Sequence, residues 1–335
     1  MITITSYFTA VIMCVITMIC WGSWGNTQKL ASKEWKFQLF YWDYVLGILF
    51  FSLLMAFTAG SFGEGGRSFI ADLQQADSKW LMYPIISGII FNLSNILLVI
   101  AIDIAGLAVA FPVGIGLALV LGVITTYIAR PEGNPVLLGV GVALIVVAII
   151  LDAIAFKRIG SRGATVKGIV VSAAAGILMG FFFSFIAEAM GKIEMKDGVA
   201  VLERAKLSPY SAMVLFATGI LLSNFVFNTL AMKFPIDGSS PVPISDYFKG
   251  SARLHLIGML GGSIWCLGTL FSFISSGAAG AALSYGLGQG ATKISAFWGE
   301  FIWKEFKNAP KGTNTLLAFM FVFFLVGLAI LVSAK

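Results

Sequence analysis

The chain has 335 residues, of which 59% are hydrophobic and 11% charged, and its mean hydropathy is +0.94. Soluble domains carry roughly a quarter charged residues, so a soluble globular protein is excluded. Apolar runs of about 20 residues recur along the chain, which is the signature of membrane helices rather than of a β-barrel. The net charge of +6 does not point to nucleic acid, because Lys and Arg fall in short loops, where they set membrane orientation.

The runs predict an all-α polytopic membrane protein with about ten transmembrane helices, at 5–27, 39–60, 81–103, 105–129, 135–157, 167–188, 209–231, 255–276, 278–303 and 314–333. The N-terminal MITITSYFTA has no basic segment and no small-residue cleavage site, and reads as a retained first helix rather than a signal peptide. That helix ends in WGSWGNTQ, which sets Trp21 and Trp24 among glycines ahead of Asn26 and Gln28. Indole faces stack on sugar rings or planar heterocycles; an interfacial belt is the plainer alternative.

The second helix opens LFYWDYVLG. Tyr41, Trp42 and Tyr44 need no function beyond an aromatic belt, but Asp43 among them does. A carboxylate in a low-dielectric site can bind and release a proton, which makes Asp43 a candidate for proton coupling, against a role at the helix start. In the third helix, FNLSN sets Asn92 and Asn95 three apart on one face, where two amides can hydrogen-bond a neutral solute or bridge helices. The connections 61–80 and 189–208 are longer and polar, and neither is long enough for a soluble domain.

The ninth run, SYGLGQGATKISAFWGEFIW, carries the most polar groups. At about 100° per residue, Tyr285, Gln289, Lys293 and Glu300 share one face of an unbroken helix. Intramembrane ionisable groups usually line a cavity or pair with each other. Gln289 and Lys293 are therefore candidates for substrate binding with Tyr285, and Glu300 for proton coupling. Glu300 or Asp43 could partner Lys293 across a cavity; snorkelling of Lys293 is the alternative. Gly286, Gly288 and Gly290 read as close helix packing and not as a phosphate loop.

The rest of the chain holds little for catalysis. The only histidine is His255, near a loop, and there is no H-E-x-x-H and no P-loop. Cys14, Cys20 and Cys266 lie in apolar runs and imply neither disulfides nor a metal. The expectation is no enzyme, no cofactor and no nucleic-acid partner. The partners are a small-molecule substrate and the lipid bilayer; the oligomeric state stays open.

An internal repeat is legible. Segment 88–134 slides onto 262–308 without gaps, matching Gly88 to Gly262, Leu93 to Leu267, Ala105-Gly106 to Ala279-Gly280, Ala108 to Ala282, Gly114 and Gly116 to Gly288 and Gly290, and Asn134 to Asn308. The third and fourth helices thus map onto the eighth and ninth, and the unit has five helices. An odd unit inverts its second copy, which predicts two inverted five-helix repeats, 1–160 and 161–335, with a site near mid-membrane. In the second copy Phe111, Ile115, Leu119 and Thr126 are replaced by the polar stripe. One set of loops, including Lys29, Lys33, Lys36, Lys157, Arg158 and Arg162, holds 13 basic residues; the other, with the termini and Lys335, holds 8. The richer set is expected in the cytoplasm, with both termini outside a cell (inner) membrane.

Tyr44 after Asp43, Gln289, Ser295 with Phe297-Trp298-Gly299, Glu305 and the ending LLAFMFVFFLVGLAILVS resemble the drug/metabolite transporter superfamily. They fit the branch that holds plant ureide permeases and bacterial glucose/ribose porters, and ureide permeases most closely. The resemblance covers most of the chain. It implies ten helices in two inverted repeats and secondary-active, often proton-coupled, uptake of small neutral solutes, and it adds Trp298 to the substrate-binding candidates. Two departures stand out: the loop at 157–167 is short, and Lys293 and Glu300 occupy positions that are apolar in that family. The expected function is import of a small neutral polar solute, a sugar such as a pentose, driven by a proton gradient. The alternatives are a ureide or nucleobase, or an anionic metabolite held by Lys293; an integral membrane enzyme lacks the carboxylate or histidine cluster it would need.

Overall fold

The computed structural model describes residues 1–334 other than 33, 64, 106–109, 160–164, 197–198, 237, 305–306 and 308. Lys33, Arg162, Glu305 and Lys335, and the repeat positions Gly106, Ala108 and Asn308, lie outside the described residues.

The chain is helical, and eight helices among the described residues are long and apolar enough to cross a membrane. In order, the helices are α1 (Tyr7–Ser23) running into α2 (Gly25–Ala31), α3 (Phe37–Phe57), α4 (Phe69–Gln75), α5 (Ser78–Ala105), α6 (Gly116–Ala129), α7 (Pro135–Arg158) and α8 (Val166–Ala189). After a hairpin come α9 (Pro209–Lys233), α10 (Ala252–Ala279), α11 (Ala281–Gly288), α12 (Ala291–Phe297) and α13 (Thr313–Val332). Side-chain caps fix several starts. Asn134 accepts from the amides of Val136 and Leu137 ahead of α7, and Thr165, Ser208 and Ser251 do the same for α8, α9 and α10. Pro135 and Pro209 occupy first-turn positions, where a missing N–H costs nothing.

The fourth and ninth predicted spans are assembled from pieces. In the fourth, a π-helical turn at Phe111–Ile115 precedes α6. In the ninth, α11 stops at Gly288, the chain passes Gln289 and Gly290, and α12 runs into a second π-helical turn at Trp298–Ile302. Gly280 separates α10 from α11 with φ of +95°, a conformation that favours glycine.

Four glycines let helices cross at backbone contact. A Cβ on Gly88 of α5 would overlap the Phe216 carbonyl of α9, and one on Gly219 of α9 would overlap Ile85 of α5. Likewise a Cβ on Gly262 of α10 would overlap the Tyr44 carbonyl of α3, and one on Gly47 of α3 would overlap Met259 of α10. Around these crossings, α5 packs on α8 and α10 on α1, α6 on α8 and α12 on α1, while α3 meets α9 and α7 meets α13.

The long connections meet at one end of the bundle. Residues of 189–208 form the hairpin β1 (Ile193–Lys196) and β2 (Val199–Leu202), antiparallel with Ile193 opposite Leu202, a departure from the all-helical expectation. Arg67 ties the 61–77 connection to it, donating to the carbonyls of Leu202, Glu203 and Lys206 and to the buried Asp72 at 3.0 Å. Asp72 in turn accepts from the Ser208 amide, and the buried N-terminal ammonium donates to Gly65. Residues 34–36 and 238–251 lie at the other end.

Candidate functional site

A cavity of about 220 Å³ lies between α1/α2, α5, α8, α10 and the broken ninth span. A single water needs about 10–15 Å³ on the same measure, so there is room for a small metabolite. Its lining runs from Phe91, Met179, Phe182 and Trp265 in mid-bundle to Trp24, Gln28 and Ile102 near the helix ends, so it faces the end of the bundle where α2 and α5 finish. The wall is largely apolar, with a few amides and hydroxyls: Gln28, Asn95, Gln289, Thr292 and Ser295. Among the described residues, no carboxylate or ammonium lines it.

Three sequence-derived candidates, Trp21, Asn95 and Gln289, meet here. Trp21 donates through Nε1 to Thr269 at 2.9 Å and lies parallel to Trp265 with ring centroids 6.3 Å apart. With carbon contacts near 3.5 Å that gap takes no further ring, so a planar solute would stack on an outer face. Asn95 gives its Nδ2 to Tyr41, at 3.1 Å, which leaves its carbonyl for a ligand. The Gln289 side chain makes no hydrogen bond among the described residues. It reaches the cavity because α11 ends just before it. Gln28, Trp24 and Trp265 complete the lining; WGSWGNTQ held the first two in plain view, while Trp265 carries no local signal.

The other candidates sit elsewhere. Asn92 belongs to a buried network, accepting from Tyr41 at 2.9 Å and donating to Ser223 at 2.9 Å. Tyr285 is wholly buried, donates to the carbonyls of Ala118 and Met179, and fills the space left by Gly122. Trp298 donates to Ser23 at 2.9 Å, outside the cavity lining. Glu300 stands on the π-helical turn with Oε2 buried and unpartnered.

Lys293 corrects the picture of a single polar face. Its ammonium points away from the cavity and pairs with Asp152 of α7 at 3.1 Å, also donating to Ala148 at 3.2 Å. Both side chains are 1% exposed. The partner is thus neither Glu300 nor Asp43. The helical projection assumed one continuous helix; the break at Gln289–Gly290 puts Tyr285, Gln289 and Lys293 into three different surroundings. Asp152 was findable, as an acid alone within the run LDAIAF.

Asp43 is not a lone acid in an aromatic belt. It is buried, accepts from Tyr247 at 2.6 Å and meets His255 Nδ1 at 2.9 and 3.0 Å. Trp35 packs edge-on to the imidazole at 5.3 Å. Burial first, and then the bond to Asp43, raise the Tyr247 phenol above its ordinary range. Both partners come from more than 200 residues away, beyond any local signal.

A bundle of membrane-length helices, tied across one end by Arg67 and hollow toward the other with an amide- and indole-lined cavity, defines a multi-pass membrane transporter. The chain belongs to the ureide permease family, whose sequence profile matches residues 155–334. Over 97% of both chains it is 23% identical to ureide permease 1 of Arabidopsis thaliana, and over the same shares 21% identical to ureide permease 2 of that plant. A solved crystal structure of a protein superposes with a TM-score of 0.60 at 15% identity, covering 97% of this chain and 96% of that one, a likeness of fold alone. Members of this family are permeases, so the chain is a transporter and not an enzyme. It sits in a lipid bilayer and takes a small-molecule substrate.

Proposed function

We propose that the chain moves a ureide-like solute, a small neutral heterocycle with urea-type N–H and C=O groups, through the Gln289 cavity. The observation that carries this is the pairing of side-chain amides with indole faces and no charge. Each amide offers a carbonyl acceptor and N–H donors in one plane, matching the edge of a cyclic urea. Trp21 and Trp24 supply faces for the ring. The likeness to ureide permeases over nearly the whole chain favours this reading over the expected sugar or pentose, which is set aside. An anionic substrate loses its support because Lys293 is already paired. In a thermal-shift assay of purified protein, allantoin, hydantoin or uracil should raise the melting temperature and xylose or ribose should not, since only a ligand of the folded state stabilises it. Stabilisation by the pentoses alone would overturn the reading.

Two inverted repeats, 1–160 and 161–335, and kinship with the drug/metabolite transporter superfamily are part of the same proposal. Support comes from the packing: adding or subtracting five spans converts the α5–α8 contact into α10–α1, α5–α9 into α10–α3 and α6–α8 into α12–α1. It also converts the Gly88/Gly219 crossing into Gly262/Gly47. On this reading ten spans cross a cell membrane with both termini outside, the cavity opens to the cytoplasm, and a proton gradient drives uptake through Asp43 and Glu300. The three native cysteines are buried, so added ones report sidedness. In intact cells Met195→Cys in the hairpin should react with a membrane-impermeant thiol reagent and Ser240→Cys should not; the reverse would overturn the orientation.

A further inference from the structure

Asp43 of α3 and His255 of α10 pair beside the solute cavity without lining it. The carboxylate is 2% exposed and both its oxygens are engaged: Oδ1 by Tyr247 at 2.6 Å and by His255 Nδ1 at 3.0 Å, Oδ2 by the same Nδ1 at 2.9 Å. An ionised carboxylate only accepts, so Nδ1 carries its hydrogen. The imidazole is 26% exposed, and its Nε2, beside Gly250, makes no hydrogen bond among the described residues. Other charges on the surrounding elements pair with each other or stand at helix ends. Asp246 meets Lys249 at 2.7 Å within the short 3₁₀ helix Ile244–Lys249 that carries Tyr247, and Glu34 meets Arg253 at 3.5 Å. Lys36 before α3 and Lys233 at the end of α9 are exposed, and Lys29 of α2 lies over the Trp303 ring. Tyr41 and Tyr44 share α3 with Asp43, Tyr210 stands at the far end of α9, and Cys266 lies about three turns further along α10. Burial, and then the bond to Asp43, hold the Tyr247 phenol above its ordinary range, so it keeps its proton.

We infer that His255 binds the proton coupled to solute movement, with Asp43 as its fixed counter-charge; this rests on the transport reading above. In the step, Nε2 takes a proton from solvent and the neutral imidazole becomes an imidazolium, while Nδ1–H stays on Asp43; release runs in reverse. An imidazole is the side chain whose charge ordinarily changes between about pH 5 and 8. With the proton bound the pair is neutral. Without it, Asp43 is a buried carboxylate facing only neutral donors, which is unfavourable. The turn Tyr41–Tyr44 carries that difference to the cavity. Tyr41 accepts from Asn95 of the lining at 3.1 Å, and Tyr44 packs on Trp24 and Trp265, also of the lining, at ring distances of 4.7 and 6.3 Å. A Cβ on Gly258 of α10 would overlap that of Asp43, so the two helices have no slack at the pair. The pair lies at the end of the bundle toward which the cavity faces, so proton and solute have access from the same side in this arrangement.

His255 is the only histidine of the chain, so isotope-labelled histidine reports on it alone. In magnetic resonance spectra of the purified protein, without any solute, Nε2 should gain and lose a proton over the pH range in which a gradient drives uptake, while Nδ1 stays protonated. His255→Asn is the variant of choice: its amide N–H can replace Nδ1–H against Asp43 but cannot take a further proton. In proteoliposomes, accumulation of allantoin driven by a pH gradient should be lost in His255→Asn, while counterflow at equal pH remains measurable and no longer varies with pH. A purely structural pair would leave His255→Asn with wild-type accumulation, because the bond to Asp43 survives, and that result would overturn the proposal. So would an imidazole that keeps one protonation state across the range, or accumulation that sodium rather than protons drives in the wild type. If His255→Asn does not fold, the spectra of the wild type decide. Absence of allantoin counterflow in the wild type would instead count against the substrate reading, with the resonance titration standing on its own.

Discussion

Lys293→Met should lower stability by about 3–5 kcal/mol, because removing one member of a buried ion pair strands the other. Met keeps the length of the side chain and removes its charge. What remains is the Asp152 carboxylate, 1% exposed, with one oxygen already lacking a partner and the other now losing its only one. Against a total stability of roughly 5–15 kcal/mol for a typical protein, that is a large share. The check is the fraction that elutes as a single species in detergent and its melting temperature. Lowering the pH should restore part of the loss, since a protonated carboxyl leaves no charge unpaired. The double variant Lys293→Met/Asp152→Leu should recover folding, because an apolar pair of similar volume is often as stable as a buried ion pair. A single variant as stable as the wild type at neutral and alkaline pH would mean that Asp152 does not depend on Lys293.

Gln289→Ala should weaken binding of a ureide by about 5- to 150-fold, corresponding to the roughly 1–3 kcal/mol lost when a hydrogen-bonding group of the ligand is left unsatisfied. The fold should be untouched, because the Gln289 side chain makes no hydrogen bond among the described residues and stands where the helix has already broken. The split between variants is informative. Gln289→Ala should raise the apparent KM and leave the melting temperature of the free protein unchanged, whereas Lys293→Met should lower that melting temperature. Titration of allantoin against both, by thermal shift or isothermal calorimetry, checks the pair. Unchanged affinity in Gln289→Ala would move the contacts to Gln28 and Asn95.

The sequence by itself determined that the chain lives in a membrane, where its helices begin, and which polar residues stand in apolar surroundings. These are local properties: a run of about 20 apolar residues has few other ways to satisfy its backbone, and a cap such as Asn134 or Ser208 acts within three residues of itself. It also picked out Trp21, Asn95 and Gln289, which the fold gathers into one cavity. The tertiary structure alone decided the partners of the buried charges. Asp152 lies 141 residues from Lys293, and Tyr247 and His255 lie 204 and 212 from Asp43. Their pairing depends on which helices cross, through contacts such as Gly47 against Met259 and Gly262 against Tyr44. It also depends on the break after Gly288, which no helical projection contains. A projection adds angles along one axis; once the axis is interrupted, Tyr285, Gln289 and Lys293 answer to three different neighbours, and only the packing of distant segments says which.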